Sequence, residues 1–161
     1  MLRERRSLLD RVELKVPPPA VTLAVGLLMW GLARWLPMFE FALPWRRALA
    51  WAFVLVGIAL MSACALQFRR AGTTVNPMTP AKTSALVDTG LYRFSRNPIY
   101  LADGLILVGW GIWLANAASL AAIALFVAYL DRFQIEPEER ALHAAFGAGF
   151  DAYRARVRRW I

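Results

Sequence analysis

The sequence predicts an all-α integral membrane protein of about four transmembrane helices, and three observations carry that expectation. Of 161 residues 59% are hydrophobic, with mean hydropathy +0.45, where a soluble domain holds ~45–50% apolar residues. Four apolar runs approach the ~17–25 residues that cross a bilayer, at 20–36, 46–68, 99–113 and 117–133. The basic residues gather between those runs, in the manner of membrane topology. The length fits one domain over 1–161. A formal charge of +8 would suit nucleic acid, but arginines in short blocks between apolar runs point to membrane lipids instead, with no nucleic-acid partner.

Residues 1–16 set Arg3, Arg5, Arg6, Arg11 and Lys15 against an apolar stripe of Leu8, Leu9, Val12 and Val16. That pattern predicts an interfacial amphipathic helix in the headgroup layer. Pro17, Pro18 and Pro19 end it, since proline lacks the amide donor a helix needs. The long charged lead and the absence of a small-residue cleavage site argue against a signal peptide. In the first span Trp30 and Trp35 suit an interfacial belt, and 37–44 forms a tight loop to the second. The third and fourth spans read as a helical hairpin turning near Asn116, with Gly104, Gly109 and Gly111 permitting close backbone approach. Placing the N-terminus inside puts 16 of the 19 Lys and Arg residues on the inner side, leaving out Arg34, Arg46 and Arg47. Four spans with both termini cytoplasmic, in the inner (cytoplasmic) membrane, follow from the positive-inside rule.

The tail opens with Glu136-Pro137-Glu138-Glu139, which reads as a helix start, with proline in the first turn and acids near the positive dipole end. Leu142, Phe146, Phe150, Tyr153 and Val157 then recur at helical spacing, giving an amphipathic helix bent at Gly147 and Gly149 and packed on the bundle or the membrane surface. Cys64 stands alone in an apolar run as a packing residue, and His143, the one histidine, as a helix-surface residue.

Chemistry concentrates in the polar segment 86–100, LVDTGLYRFSRNPIY, and in the acidic pair. The topology brings both to one side of the membrane. Arg96 serves either as a topology arginine or as a bidentate partner for a carboxylate or phosphate. Pro98 opens the third helix, so Asn97 is its expected cap. Tyr92 and Tyr100 suit interfacial anchoring or the stacking of a cation or purine. Glu138 and Glu139 are helix-start acids or ligands for a cation. Asp103, one turn into the third helix, faces either a partner or cavity, or snorkels to the headgroups.

Residues 72–160 resemble the isoprenylcysteine carboxyl methyltransferase family and its phospholipid methyltransferase relatives. The shared pattern is Leu86-Val87, Thr89-Gly90-x-Tyr92, Arg96-x-Pro98-x-Tyr100, a helical hairpin, Glu138-Glu139-x-x-Leu142, and Phe146-Gly147 with Tyr153 and Val157. The resemblance implies S-adenosylmethionine as cofactor, in a cytoplasmic pocket closed by the C-terminal segment. It implies cofactor contacts from Ser84, Ala85, Leu86, Val87, Tyr92, Asn97, Pro98, Ile99, Tyr100 and Glu138. Arg96, Glu139 and Gln134 become the catalytic candidates, with a lipophilic acceptor such as an isoprenylcysteine-like carboxylate, a phospholipid amine or another small molecule.

Two departures stand out. Asn97 replaces the family's usual histidine, keeping hydrogen bonding without titration. Gln134 stands where an arginine is often found, with Arg132 two residues earlier, which weighs against a prenylcysteine carboxylate. No Gly-rich dinucleotide fingerprint follows a predicted strand, so a soluble Rossmann methyltransferase is excluded. Two rivals share some features. Sterol reductases that use NADPH carry a similar arginine-to-tyrosine segment with an acid at the Asp103 offset. A non-catalytic membrane module would dock a partner on the same polar edge.

Overall fold

The longest apolar run sets the frame. In the computed structural model, which describes residues 13–72 and 86–161, that run becomes a helix over Arg46–Arg70, here α2. Its 25 residues extend roughly 37 Å, enough to cross a bilayer. Only 17% of its apolar window is buried, and Trp51, Leu55, Val56 and Ile58 stay exposed. A soluble core helix would be covered on those faces; lipid is the solvent that suits them.

Before it, α1 covers Pro18–Trp35, with proline in its first turn, and a 3₁₀ turn at Pro37–Phe39 follows. After a second 3₁₀ turn at Gly90–Arg93 come α3 (Pro98–Leu114), α4 (Ala117–Ala121), α5 (Ile123–Leu130), α6 (Glu136–Phe146) and α7 (Ala148–Arg156). Among the described residues there is no strand, only a single bridge between Glu40 and Asn116. The α2 helix and the 30-residue segment Ala117–Phe146 are long and apolar enough to cross a membrane, whereas α3 is apolar with 17 residues. The interfacial helix expected over 1–16 falls almost wholly outside the described residues, of which 13–16 form a turn.

The expected boundary at Glu136 is not a helix start. Residues 117–146 run on as one helix, through a π turn at Asp131–Ile135. A proline inside a helix leaves the carbonyl four residues earlier without its amide and crowds it. For Pro137 that carbonyl belongs to Phe133. It accepts instead from the Leu14 amide at 3.1 Å, and the π turn widens the backbone where the ring enters. The real break comes at Gly147, whose φ of +49° separates α6 from α7; Gly149 lies within α7.

The helices pack around two apolar clusters. Val21, Val25, Met29, Tyr100, Leu107, Phe126 and Leu130 join α1, α3 and α5 in the first. Cys64, Val87, Tyr92, Phe150, Tyr153 and Val157 form the second, so the tail stripe lies against the polar segment and α2. Ile99 packs on both. At the far end, Asn116 donates to the Leu36 carbonyl at 2.9 Å and Ser119 to the Met29 carbonyl at 2.6 Å, tying α1 to the hairpin turn.

Of the glycines expected to serve the 99–133 hairpin, Gly109 serves a different neighbour. A Cβ there would lie 2.7 Å from the Ala50 carbonyl oxygen of α2, and one at Gly57 would lie 2.8 Å from the Ala102 carbonyl oxygen. These two glycines let α2 and α3 touch backbone to backbone. Gly109→Val is therefore expected to destabilise the bundle by roughly 1–3 kcal/mol, read as a lowered melting temperature in detergent. Gly104→Ala, whose Cβ would meet nothing closer than 3.8 Å, should melt like the parent.

Candidate functional site

Where the polar segment meets α3, the backbone turns so that Arg96, Asn97 and Tyr100 all approach the Ala117–Phe146 helix or the C-terminal residues. The Arg96 amide donates to the Arg158 carbonyl at 2.9 Å. Its guanidinium donates to Glu139 Oε1 at 2.8 Å and to the Val157 and Arg154 carbonyls. Arg159 reaches the same carboxylate from the other side, Nη2 to Oε2 at 2.8 Å, and also pairs with Asp131 at 3.3 Å. Trp160 Nε1 donates to Asp131 at 3.2 Å. Residues 157–160 are thus pinned across the edge of the bundle.

Asn97 does not cap α3 through its side chain. Its Nδ2 donates to the Arg159 carbonyl at 2.9 Å, and Ser95 Oγ donates to the same oxygen at 3.3 Å. An Arg159 carbonyl with no helical partner offers an acceptor that a helix start does not, and the amide takes it.

Next to this clamp sits a second, more enclosed group. Tyr100 Oη donates to Glu138 Oε1 at 2.5 Å, and Gln134 Nε2 donates to the same oxygen at 2.6 Å. The apolar part of the Ala117–Phe146 helix ends by Ile135, before the three glutamates. Glu138 therefore sits beyond the membrane-spanning stretch. Burial pushes its carboxyl up to about 7, and the Glu139 charge adds to this, against the hydrogen bonds from Tyr100 and Gln134. Glu139 behaves oppositely. Its own burial would raise it, but hydrogen bonds and charge from Arg159 and Arg96 hold it below the usual carboxylate range. Adjacent acids in unlike surroundings take unlike roles.

The sequence-derived candidates divide accordingly. Arg96, Asn97, Tyr100, Gln134, Glu138 and Glu139 come together. Tyr92 belongs to the second apolar cluster, its ring edge-on to Phe68 at 5.3 Å and its carbonyl accepting from Tyr153 Oη at 2.8 Å. Leu86 and Val87 pack there too. Pro98 is fully buried in the first turn of α3, beside Ile99. Ser84 and Ala85 lie outside the described residues. Arg132, displaced from the expected arginine position, pairs with Glu13 at 2.5 Å and Glu136 at 3.6 Å. Sequence reasoning missed Arg159, Trp160 and Asp131. The available signal was Asp131 itself, an ionisable group at the end of an apolar run.

The family model for phospholipid methyltransferases matches residues 45–149. The chain belongs to the phospholipid methyltransferase family. The match takes in α2, which the sequence motifs left outside, and ends before the clamp residues 157–160. An uncharacterized protein of Haemophilus influenzae is 36% identical over 63 residues, which is 39% of this chain and the whole of that protein. No solved structure matches the chain. As a phospholipid methyltransferase family member it is a membrane methyltransferase; the Glu138 group lies within the matched residues, and the clamp joins matched Arg96 and Glu139 to unmatched Arg159.

Removing one partner of a buried ion pair costs roughly 3–5 kcal/mol, and less where a partner is exposed, as Arg159 is at 30%. Glu139→Gln is expected to free residues 157–160, seen as faster tryptic cleavage after Arg156 and Arg158 and a lower melting temperature. Because the folded Glu139 carboxyl is depressed, its contribution is present above the ordinary glutamate range and is lost as pH falls through the depressed value. Parent cleavage should approach that of Glu139→Gln only in that acidic window. Equal cleavage at neutral pH would show that the clamp does not hold the tail.

Proposed function

We propose that the protein is an S-adenosylmethionine-dependent methyltransferase of the membrane, acting on a lipophilic acceptor. Family membership supports methyl transfer, and the buried Glu138 carboxylate carries the cofactor assignment. Among the described residues no lysine or arginine pairs with it, although two neutral donors hold it in place. The adjoining cluster counts Arg96 and Arg159 against Glu138, Glu139 and Asp131, a deficit of one positive charge. S-adenosylmethionine, with one carboxylate, one ammonium and one sulfonium, is a monocation that fits this donor set.

When bound, that cofactor supplies a methyl group on a sulfonium sulfur. The chain's own residues do the rest. Glu138 receives the ammonium, with Tyr100 and Gln134 fixing its orientation. Leu86, Val87, Tyr92, Pro98 and Ile99 wall the adenosine side, and the family resemblance adds Ser84 and Ala85, which lie outside the described residues. Asn97, Arg96 and Glu139 hold residues 157–160 over the site and exclude water, so alignment of donor and acceptor governs the rate. The same reading has four spans in the cytoplasmic membrane with both termini cytoplasmic, supported by the distribution of basic residues.

Isothermal titration of the purified protein is expected to give binding of S-adenosylmethionine and none of NADPH; the reverse would favour a reductase. A charge-assisted hydrogen bond contributes about 1.5–3 kcal/mol, so Glu138→Gln should weaken cofactor binding about ten- to hundredfold. The pH dependence follows from the raised carboxyl. A cationic ligand favours the ionised form, so protonation competes with binding. Affinity should rise with pH up to about 7 and fall by up to about tenfold per unit below it. Glu138→Gln should lose that slope, and a parent with a flat profile would remove Glu138 from the site.

A further inference from the structure

Asp103 is 5% exposed, one turn along α3 from Tyr100. It takes part in no hydrogen bond or ion pair with the described residues. Every fully enclosed side-chain nitrogen or oxygen among those residues has a partner, so this carboxylate must open onto accessible space. Tyr100, Asp103, Leu107 and Trp110 recur at spacings of three, four and three, which puts them on one helical face. Leu107 and Trp110 line a cavity of about 590 Å³ between α1, α2 and α3, together with Gly26, Trp30, Trp51 and Val54. That volume lies within the ~300–1,000 Å³ of ligand pockets. Asp103 does not itself line the cavity; it lies on this helical face between Tyr100, which holds Glu138, and Leu107 on the chamber wall.

An unpaired carboxylate in a membrane helix is costly and normally meets a partner. The chamber offers none of its own: Thr22 is its one hydroxyl, already donated to the Pro18 carbonyl at 3.0 Å, and no lysine or arginine lines it. We infer that Asp103 anchors the protonated amine of a single-chain lipophilic amine whose chain lies in this cavity. A phosphate-bearing head would find no cation on these walls, so the amine is unphosphorylated. Calling that amphiphile the methyl acceptor rests on the methyltransferase reading; its binding does not.

The test uses the full chain in phosphatidylcholine nanodiscs and three probes with the same brominated chain: a primary amine, an alcohol and a lysophosphatidylethanolamine. Tryptophan quenching reports occupancy, since Trp30, Trp51, Trp110 and Trp113 line the cavity. The amine should bind at least tenfold more tightly than the other two. Asp103→Asn should abolish that preference while keeping alcohol binding and S-adenosylmethionine affinity. Ile106→Trp, which fills the cavity, should lose all three probes. Equal binding of amine and alcohol by the parent, phosphoethanolamine binding as tight as amine, a preference surviving in Asp103→Asn, or amine binding surviving in Ile106→Trp would each overturn the assignment. If Asp103→Asn fails to fold, the comparison of probes on the parent still decides. Loss of cofactor binding with the amine preference intact would sink the methyltransferase reading alone.

Discussion

The Arg96–Glu139–Arg159 ion cluster is the constraint on which the rest of the site depends. Arg96 comes from the segment before α3, Glu139 from the long C-terminal helix, and Arg159 from the last residues of the chain. No two of these are neighbours in sequence, and one carboxylate joins them. Two guanidiniums on Glu139, one of them also held by Asp131, offset the desolvation that a single partly buried pair would not cover. The cluster brings residues 157–160 against Ser95 and Asn97, whose side chains take the Arg159 carbonyl. It also leaves the adjacent Glu138 in a low-dielectric environment with no cation against it among the described residues. Its raised carboxyl is the electrostatic consequence.

Continuity of the helix over Ala117–Phe146 is the second requirement. A free helix starting at Glu136 could rotate relative to the span before it, and Glu138 would not be aimed at Tyr100. The π turn carries Pro137 within one rod, so Gln134 and Glu138 stay one turn apart and meet at 2.6 Å. The freed Phe133 carbonyl is taken up by Leu14, while Glu13 pairs with Arg132 and Arg140. The start of the described chain thus braces the helix where its geometry is irregular. π turns of this kind recur at functional sites because they re-aim side chains without breaking the helix.

Much of this was legible in the sequence. The first three apolar runs match their helices to within a few residues, because hydropathy and length are local properties, whereas the fourth continues past its apolar end to Phe146. The polar segment and the acidic pair emerged as chemistry lodged between such runs, and the stripe from Leu142 to Val157 packs where its periodicity aimed it. What was not legible depends on distant partners. Proline followed by acids marks a helix start and a π-accommodated interior equally well, and only Leu14 decides between them. Asn97 reads as a cap until a carbonyl from Arg159 arrives to compete. Arg159 looks like one more topology arginine, since nothing nearby in sequence says it will find Glu139. Gly57 is silent in an apolar run until Ala102 of α3 lies against it.

The central claim is that Glu138, beneath the clamp, holds the amino group of the cofactor. A structure of the protein determined with S-adenosylhomocysteine tests it most directly. The account predicts the ligand's amino group within hydrogen-bond distance of the Glu138 carboxylate, with residues 157–160 still closed over it by the Arg96–Glu139–Arg159 cluster. Density for the ligand elsewhere, with Tyr100 and Gln134 still the only groups on Glu138, would contradict it.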